Sequence, residues 1–197
     1  MNIVIVQYNA GNIRSVSYAL ERLGYTAVVT DDATIIQQAD KVIFPGVGEA
    51  SSAMQYLKNR KLDVVIKNLQ QPVLGICLGM QLMCSFSEEN DTTCLGIFTE
   101  RVQKFHSALQ FVKVPHMGWS QTYKLQTPLF EHIDNDSFFY FVHSYYAATG
   151  NETIATTNYI QPFSAALHKQ NFYGVQFHPE KSAKAGEQLL KNFIELC

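Results

Sequence analysis

The sequence predicts an α/β fold with three layers: a mostly parallel central sheet, helices on its faces, and a β-rich antiparallel extension. Three observations support this. Short apolar runs such as Ile3–Val6 and Pro72–Ile76 alternate with segments whose apolar residues recur at helical spacing throughout the first half. The second half instead joins strand-like runs through short polar turns. The chain has 197 residues and no repeat, low-complexity tract or linker, so residues 1–197 are expected to form one domain.

The elements follow in order. Ile3–Val6 reads as a buried strand. Ile13, Val16, Ala19, Leu20 and Leu23 mark one face of a helix that stops before Gly24. Tyr25–Thr30 and Lys41–Phe44 read as strands, Ser51 as the cap of a helix running to about Leu69, and Pro72–Ile76 as the next strand. This alternation implies parallel βαβ units with right-handed crossovers. Val102–Phe105, Phe138–Tyr145, Thr153–Asn158, Ser164–His168 and Phe172–Phe177 then read as strands, with Phe138–Phe141 expected to be covered on both faces. A last helix, capped by Ser182, packs through Leu189, Leu190, Phe193 and Ile194.

Composition narrows the function classes. Hydrophobic residues make up 47% and charged ones 16%, as in a globular chain. A net charge of −2 without a Lys/Arg run argues against a nucleic-acid or acidic-membrane partner. No apolar stretch approaches the ~20 residues of a membrane span, and MNIVIVQYNAGN lacks the basic and long apolar regions of a secretory signal. Cys77, Cys84, Cys94 and Cys197 show no C-x-x-C spacing. They are expected to be reduced thiols in a cytoplasmic protein, neither a disulfide framework nor a metal site.

The string Gly75-Ile-Cys77-Leu-Gly79 has the spacing of a nucleophile elbow, with sulfur at the nucleophile position. Such a turn is tight and strained, and a Cβ at either flanking glycine would collide with its surroundings. The helix expected to follow directs its N-terminal amides toward the sulfur and favours thiolate. A thiolate needs a base. Of the six histidines, His178 stands out, because it ends a strand in the string His178-Pro179-Glu180. Proline keeps His178 extended, and in an extended segment residue 180 shares its side and can orient the imidazole. Acyl transfer also needs donors for an oxyanion. The Leu78 amide is one candidate, and the loop Pro45-Gly46-Val47-Gly48 offers a second.

PGVG at 45–48, GICLGMQ at 75–81 and HPEKS at 178–182 together resemble the class I (triad-type) glutamine amidotransferases, whose fold is flavodoxin-like. Pro115-His-Met-Gly-Trp119 and Phe141-Val-His-Ser-Tyr145 extend the resemblance over essentially the whole chain. They bring it closest to the glutaminase branch that serves imidazole glycerol phosphate synthesis in the histidine pathway. The resemblance implies that Cys77 attacks glutamine, with His178 and Glu180 completing a triad. It further implies that Gln81 holds the amino-acid end of the substrate, that Gly46, Val47, Gly48, His143 and Ser144 form the pocket wall, and that the Val47 amide joins Leu78 in the oxyanion hole. It calls for no cofactor or metal.

A partner is expected on chemical grounds too, since ammonia released into water near neutral pH is mostly protonated and no room remains here for a second active site. The resemblance makes that partner a cyclase subunit with a (β/α)₈ barrel, which converts PRFAR to imidazole glycerol phosphate and AICAR. It implies that Asn12, Met117, Gly118, Trp119 and Lys181 face it. A paralogous branch feeding ammonia to surface-sugar synthases is the alternative. Two departures lie toward the presumed interface: Ser120 where the family has asparagine, and the loop Gln7-Tyr-Asn-Ala-Gly11, which lacks the usual acidic residue and first glycine.

Overall fold

The computed structural model describes residues 1–9, 11–107 and 113–197, so Ala10 of the first loop lies outside the described residues. Strands β1 (Ile3–Val6), β2 (Ala27–Thr30), β3 (Lys41–Gly46) and β4 (Val73–Cys77) alternate with helices α1 (Ile13–Arg22), α2 (Ala33–Gln37), α3 (Ala50–Asn59) and α4 (Leu62–Lys67). Helix α5 (Leu78–Met83) follows β4 without a break. Short strands β5 (Phe86–Ser87) and β6 (Thr92–Thr93) lead to β7 (Arg101–Lys104). Then come β8 (His116–Tyr123), β9 (Ser137–His143), β10 (Tyr145–Ala147), β11 (Thr153–Asn158), β12 (Pro162–Lys169), β13 (Phe172–Val175) and α6 (Ala183–Glu195).

The described strands form two sheets. The larger has nine strands in the order β2-β1-β3-β4-β13-β12-β11-β8-β9, and the smaller has four, β10-β7-β5-β6. β1 to β4 and β13 run parallel to one another, while β12, β11, β8 and β9 pair antiparallel, which is the expected extension. β3 and β4 are buried along their whole length because both sheet faces are covered. Val4, Val6, Val42 and Phe44 enter one core with α3, α4 and α5; Ile3, Ile5, Ile43, Leu74 and Ile76 enter the other with α1 and α6. Among the described residues, no helix is long and apolar enough to cross a membrane.

Several expectations need correction. The long helix from Ser51 is two helices, broken at Lys61, whose φ of 58° is left-handed. Its cap is Glu49, whose carboxylate accepts from the Ser52 amide. Ser182 stands before α6 but makes no cap bond; its hydroxyl donates to the His178 carbonyl instead. Phe138–Tyr145 divides at Ser144 into β9 and β10. The run Phe138–Phe141 is covered on one face only: Phe139 and Phe141 are fully buried, whereas Phe138 is 53% exposed. In register with it, β8 sets Trp119 opposite Tyr140 and Met117 opposite Val142, and both Met117 and Trp119 are exposed.

Candidate active site

Cys77 is a non-glycine residue with φ 53° and ψ −108°, a strained conformation, and α5 begins at the next residue. The flanking glycines are sterically required. A Cβ on Gly79 would lie 1.7 Å from the Phe44 carbonyl oxygen, and one on Gly75 would lie 2.5 Å from Met83 Cε and 2.8 Å from the Met80 amide. The sulfur therefore stands at the carboxyl end of β4, with Gly46 of β3 in register beside it.

β13 lies on the other side of β4, pairing Val175 with Ile76, and the chain beyond it delivers His178. The His178 amide donates to the Tyr140 carbonyl at 2.9 Å, and the Ser182 hydroxyl donates to the His178 carbonyl at 2.7 Å. His178 is extended, as expected, but Pro179–Lys181 is a single 3-10 turn. Glu180 thus reaches the imidazole by folding back rather than by sharing a strand face. His178 Nδ1 donates to Glu180 Oε1 at 2.8 Å, with both side chains almost wholly buried. Asn12, at the left-handed start of α1 with φ 76°, also donates to Glu180 Oε1, and it is half-exposed.

With Nδ1 committed to Glu180, Nε2 of His178 is free to take a proton. Among the described residues Nε2 has no hydrogen-bond partner of ordinary geometry, while the Cys77 thiol is within interaction range of the buried ring. Burial depresses the imidazole pKa, but Cys77 and Glu180 outweigh it and push the value up to about 10. The Cys77 contribution acts when the sulfur is charged, so the ring holds the proton it takes from the thiol as long as a thiolate faces it, and gives it up once acylation removes that charge.

The sulfur opens into a cavity of about 320 Å³ lined also by Val47, Gly48, Leu78, Gln81, His143 and Ser144, all expected site residues. Gly46 lies beneath this wall rather than on it: a Cβ there would meet the Tyr8 hydroxyl at 2.0 Å. The Val47 carbonyl accepts from the Gly11 amide at 3.4 Å, so the first loop braces the PGVG loop.

The polar network behind the cavity takes its direction from one atom. The Tyr145 carbonyl can only accept. It therefore receives His143 Nδ1–H at 2.7 Å and a Gln81 Nε2–H at 2.8 Å. His143 Nε2 is then an acceptor for His116 Nδ1–H at 3.1 Å, and His116 Nε2 accepts from the Ser120 hydroxyl at 2.9 Å. Burial lowers the pKa of His116 to about 4 and of His143 to about 3, so both rings are neutral. The sequence offers no orienting arrangement for these two histidines and sets Ser120 toward a partner; in the structure Ser120 turns inward and the three form a relay.

Sequence reasoning also misses Glu89, the one acidic side chain on the cavity wall among the described residues. It accepts from the Ala50 amide at 2.7 Å, and burial raises its pKa against the opposing pull of that bond. Its setting, Ser87-Glu-Glu-Asn-Asp91, matches none of the motifs that mark the rest of the site. Of the residues expected to face a partner, Met117, Trp119 and Lys181 are exposed, and Gly118 on β8 takes a left-handed φ of 138°.

Comparison with known proteins identifies the family of the chain. The family described as "Glutamine amidotransferase class-I" matches residues 4–196. A relative from Bacteroides fragilis named "Imidazole glycerol phosphate synthase subunit HisH" is 59% identical, covering 100% of both chains. One of the same name from Yersinia pseudotuberculosis is 48% identical, again over 100% of each. In fold, the chain resembles a solved structure of PurLQS from Thermotoga maritima, at a TM-score of 0.73 and 16% identity, covering 98% of this chain and 97% of that one. With the family matched from end to end, the chain belongs to the class I glutamine amidotransferases.

Proposed function

We propose that this chain is the glutaminase subunit of an imidazole glycerol phosphate synthase, acting as one amidotransferase domain in the cytoplasm. The observation that carries the reading is a sulfur held by a strained elbow at the mouth of an amino-acid-sized cavity, with a buried imidazole–carboxylate pair behind it. The full-length identity to two proteins of that name supports the same branch over the surface-sugar alternative.

Cys77 gives its proton to His178 Nε2 and adds to the side-chain carbonyl carbon of glutamine. The oxyanion forms near the amides of Leu78 and Val47. The tetrahedral adduct collapses as His178 returns the proton to the departing nitrogen, leaving a glutamyl thioester and ammonia. His178 then deprotonates water, which adds to the thioester; collapse expels the sulfur and yields glutamate. Glu180 holds the Nδ1–H tautomer throughout.

Both Gln81 N–H groups are spent on Tyr145 and Gln176, so only its oxygen remains for the substrate. That oxygen and the Glu89 carboxylate are suited to the α-ammonium of glutamine, not to its carboxylate. Ammonia then passes to a cyclase subunit docked over the open β8–β9 face beside the cavity, where Met117 and Trp119 are exposed and Pro115 and Val142 reach the cavity wall.

The test is reconstitution. Glutaminase activity is expected to be low for the isolated chain and to rise when a (β/α)₈ cyclase subunit is added. Equal activity with and without the cyclase contradicts the proposal, as does activation only by a synthase of another pathway.

A further inference from the structure

We propose that Gln176 is a further catalytic residue, whose side-chain amide donates a hydrogen bond to the Cys77 sulfur and favours the thiolate. This rests on the reading of Cys77 as nucleophile. The parallel pairing of β13 with β4 ends at Val175 opposite Ile76, and one step further brings Gln176 level with Cys77. Its side chain is fully buried, and Nε2 lies 3.6 Å from Sγ.

The orientation of this amide follows from its neighbours. The Tyr145 carbonyl forces Gln81 to present Nε2, and the second proton of that nitrogen goes to Gln176 Oε1 at 2.8 Å. Gln176 must then turn its N–H toward the sulfur. A flipped Gln176 would set its amide nitrogen against Gln81 Nε2, donor against donor. The chain Tyr145 carbonyl, Gln81, Gln176, Cys77 thus fixes a donor on the reacting atom from across 99 positions of sequence.

The consequence is specific to one charge state. When the S–H proton moves to His178 Nε2, its electron pair stays on sulfur, and the Gln176 N–H bond becomes charge-assisted without losing its own proton. When sulfur is acylated the charge is gone and the bond weakens. Gln176 therefore favours thiolate both as the attacking group and as the leaving group of deacylation. Among the described residues, the other bond of ordinary geometry at Sγ is its own contact with the Val142 carbonyl at 3.9 Å, and that carbonyl accepts from the thiol, not from the thiolate.

The test measures thiolate directly. Alkylation of Cys77 by iodoacetamide is followed across pH, with mass spectrometry of the peptide carrying Cys77 to separate it from Cys84, Cys94 and Cys197. In Gln176→Met the pH of half-maximal alkylation is expected to rise, with the rate at neutral pH and kcat for glutamine each falling about tenfold. An unchanged alkylation profile in the folded variant overturns the proposal. Should Gln176→Met not fold, the unaltered protein still decides: the Gln176 side-chain amide resonances should shift when Cys77 is alkylated, and invariance refutes the bond. If glutaminase activity survives Cys77→Ala, the nucleophile assignment itself is wrong; if Cys77 is essential but its alkylation ignores Gln176, only this inference falls.

Discussion

At β3, β4 and β13 the large sheet buries almost everything it carries, whereas at β8 and β9 it leaves one face open. The buried region holds the sulfur, the imidazole and interlocked amides, each placed by main-chain register, steric exclusion of Cβ atoms or a carbonyl that can only accept. The open region presents Met117, Trp119 and Phe138 to solvent from the same strands whose other face buries Phe139 and Phe141. On the proposed function the difference separates two tasks. Chemistry demands groups held to fractions of an ångström, which a covered parallel sheet provides; docking demands apolar area free to be covered, which only an edge can offer.

Substitutions can break this division. Cys77→Ala should cut glutamine-dependent synthesis by at least about a thousandfold while synthesis from added ammonium salts continues; an equal loss of both would assign Cys77 a structural role. Glu180→Gln should lower kcat by roughly a hundredfold with little change in KM, since it disturbs the tautomer without removing the base. Glu89→Gln should instead raise KM for glutamine by about tenfold and spare kcat, and a pure kcat effect would remove Glu89 from substrate binding. On the open face, Trp119→Ala should weaken cyclase association by about 2 kcal/mol, near thirtyfold, as measured by titration calorimetry, without altering alkylation of Cys77.

The smallest effect concerns the neutral histidine relay. His116 titrates at about 4 when folded and at an ordinary 6.5 when unfolded. Between those values the unfolded chain binds the extra proton, so stability rises with pH and is lost as pH falls from 6.5 through about 4. His116→Gln, which preserves one donor and one acceptor, should flatten that part of the stability–pH curve in denaturant titrations. A variant as acid-sensitive as the parent would mean that the ring is not kept neutral.

What the sequence reveals depends on the distance over which each constraint acts. The elbow is legible because its requirements are local: two glycines within two residues of the nucleophile, each excluding a Cβ. The pairing of His178 with Glu180 is legible as well, although through a 3-10 turn and not the extended geometry expected. Gln176 is not, because its role exists only once β13 is registered against β4. The break at Lys61 carries no glycine or proline to announce it. The aromatic run on β9 announces burial by composition, but composition cannot say that the sheet ends there and leaves Phe138 uncovered. The relay from Ser120 to Tyr145 escapes notice for the same reason as Gln176: its members sit on different strands.

An electrophilic glutamine analogue, followed by mass spectrometry of the digested protein, decides whether Cys77 attacks glutamine with His178 as base. One covalent adduct is expected on the Cys77 peptide, competed by glutamine and greatly slowed in His178→Asn. Labelling of Cys84, Cys94 or Cys197 in its place, or of Cys77 at an unchanged rate without the imidazole, would contradict it.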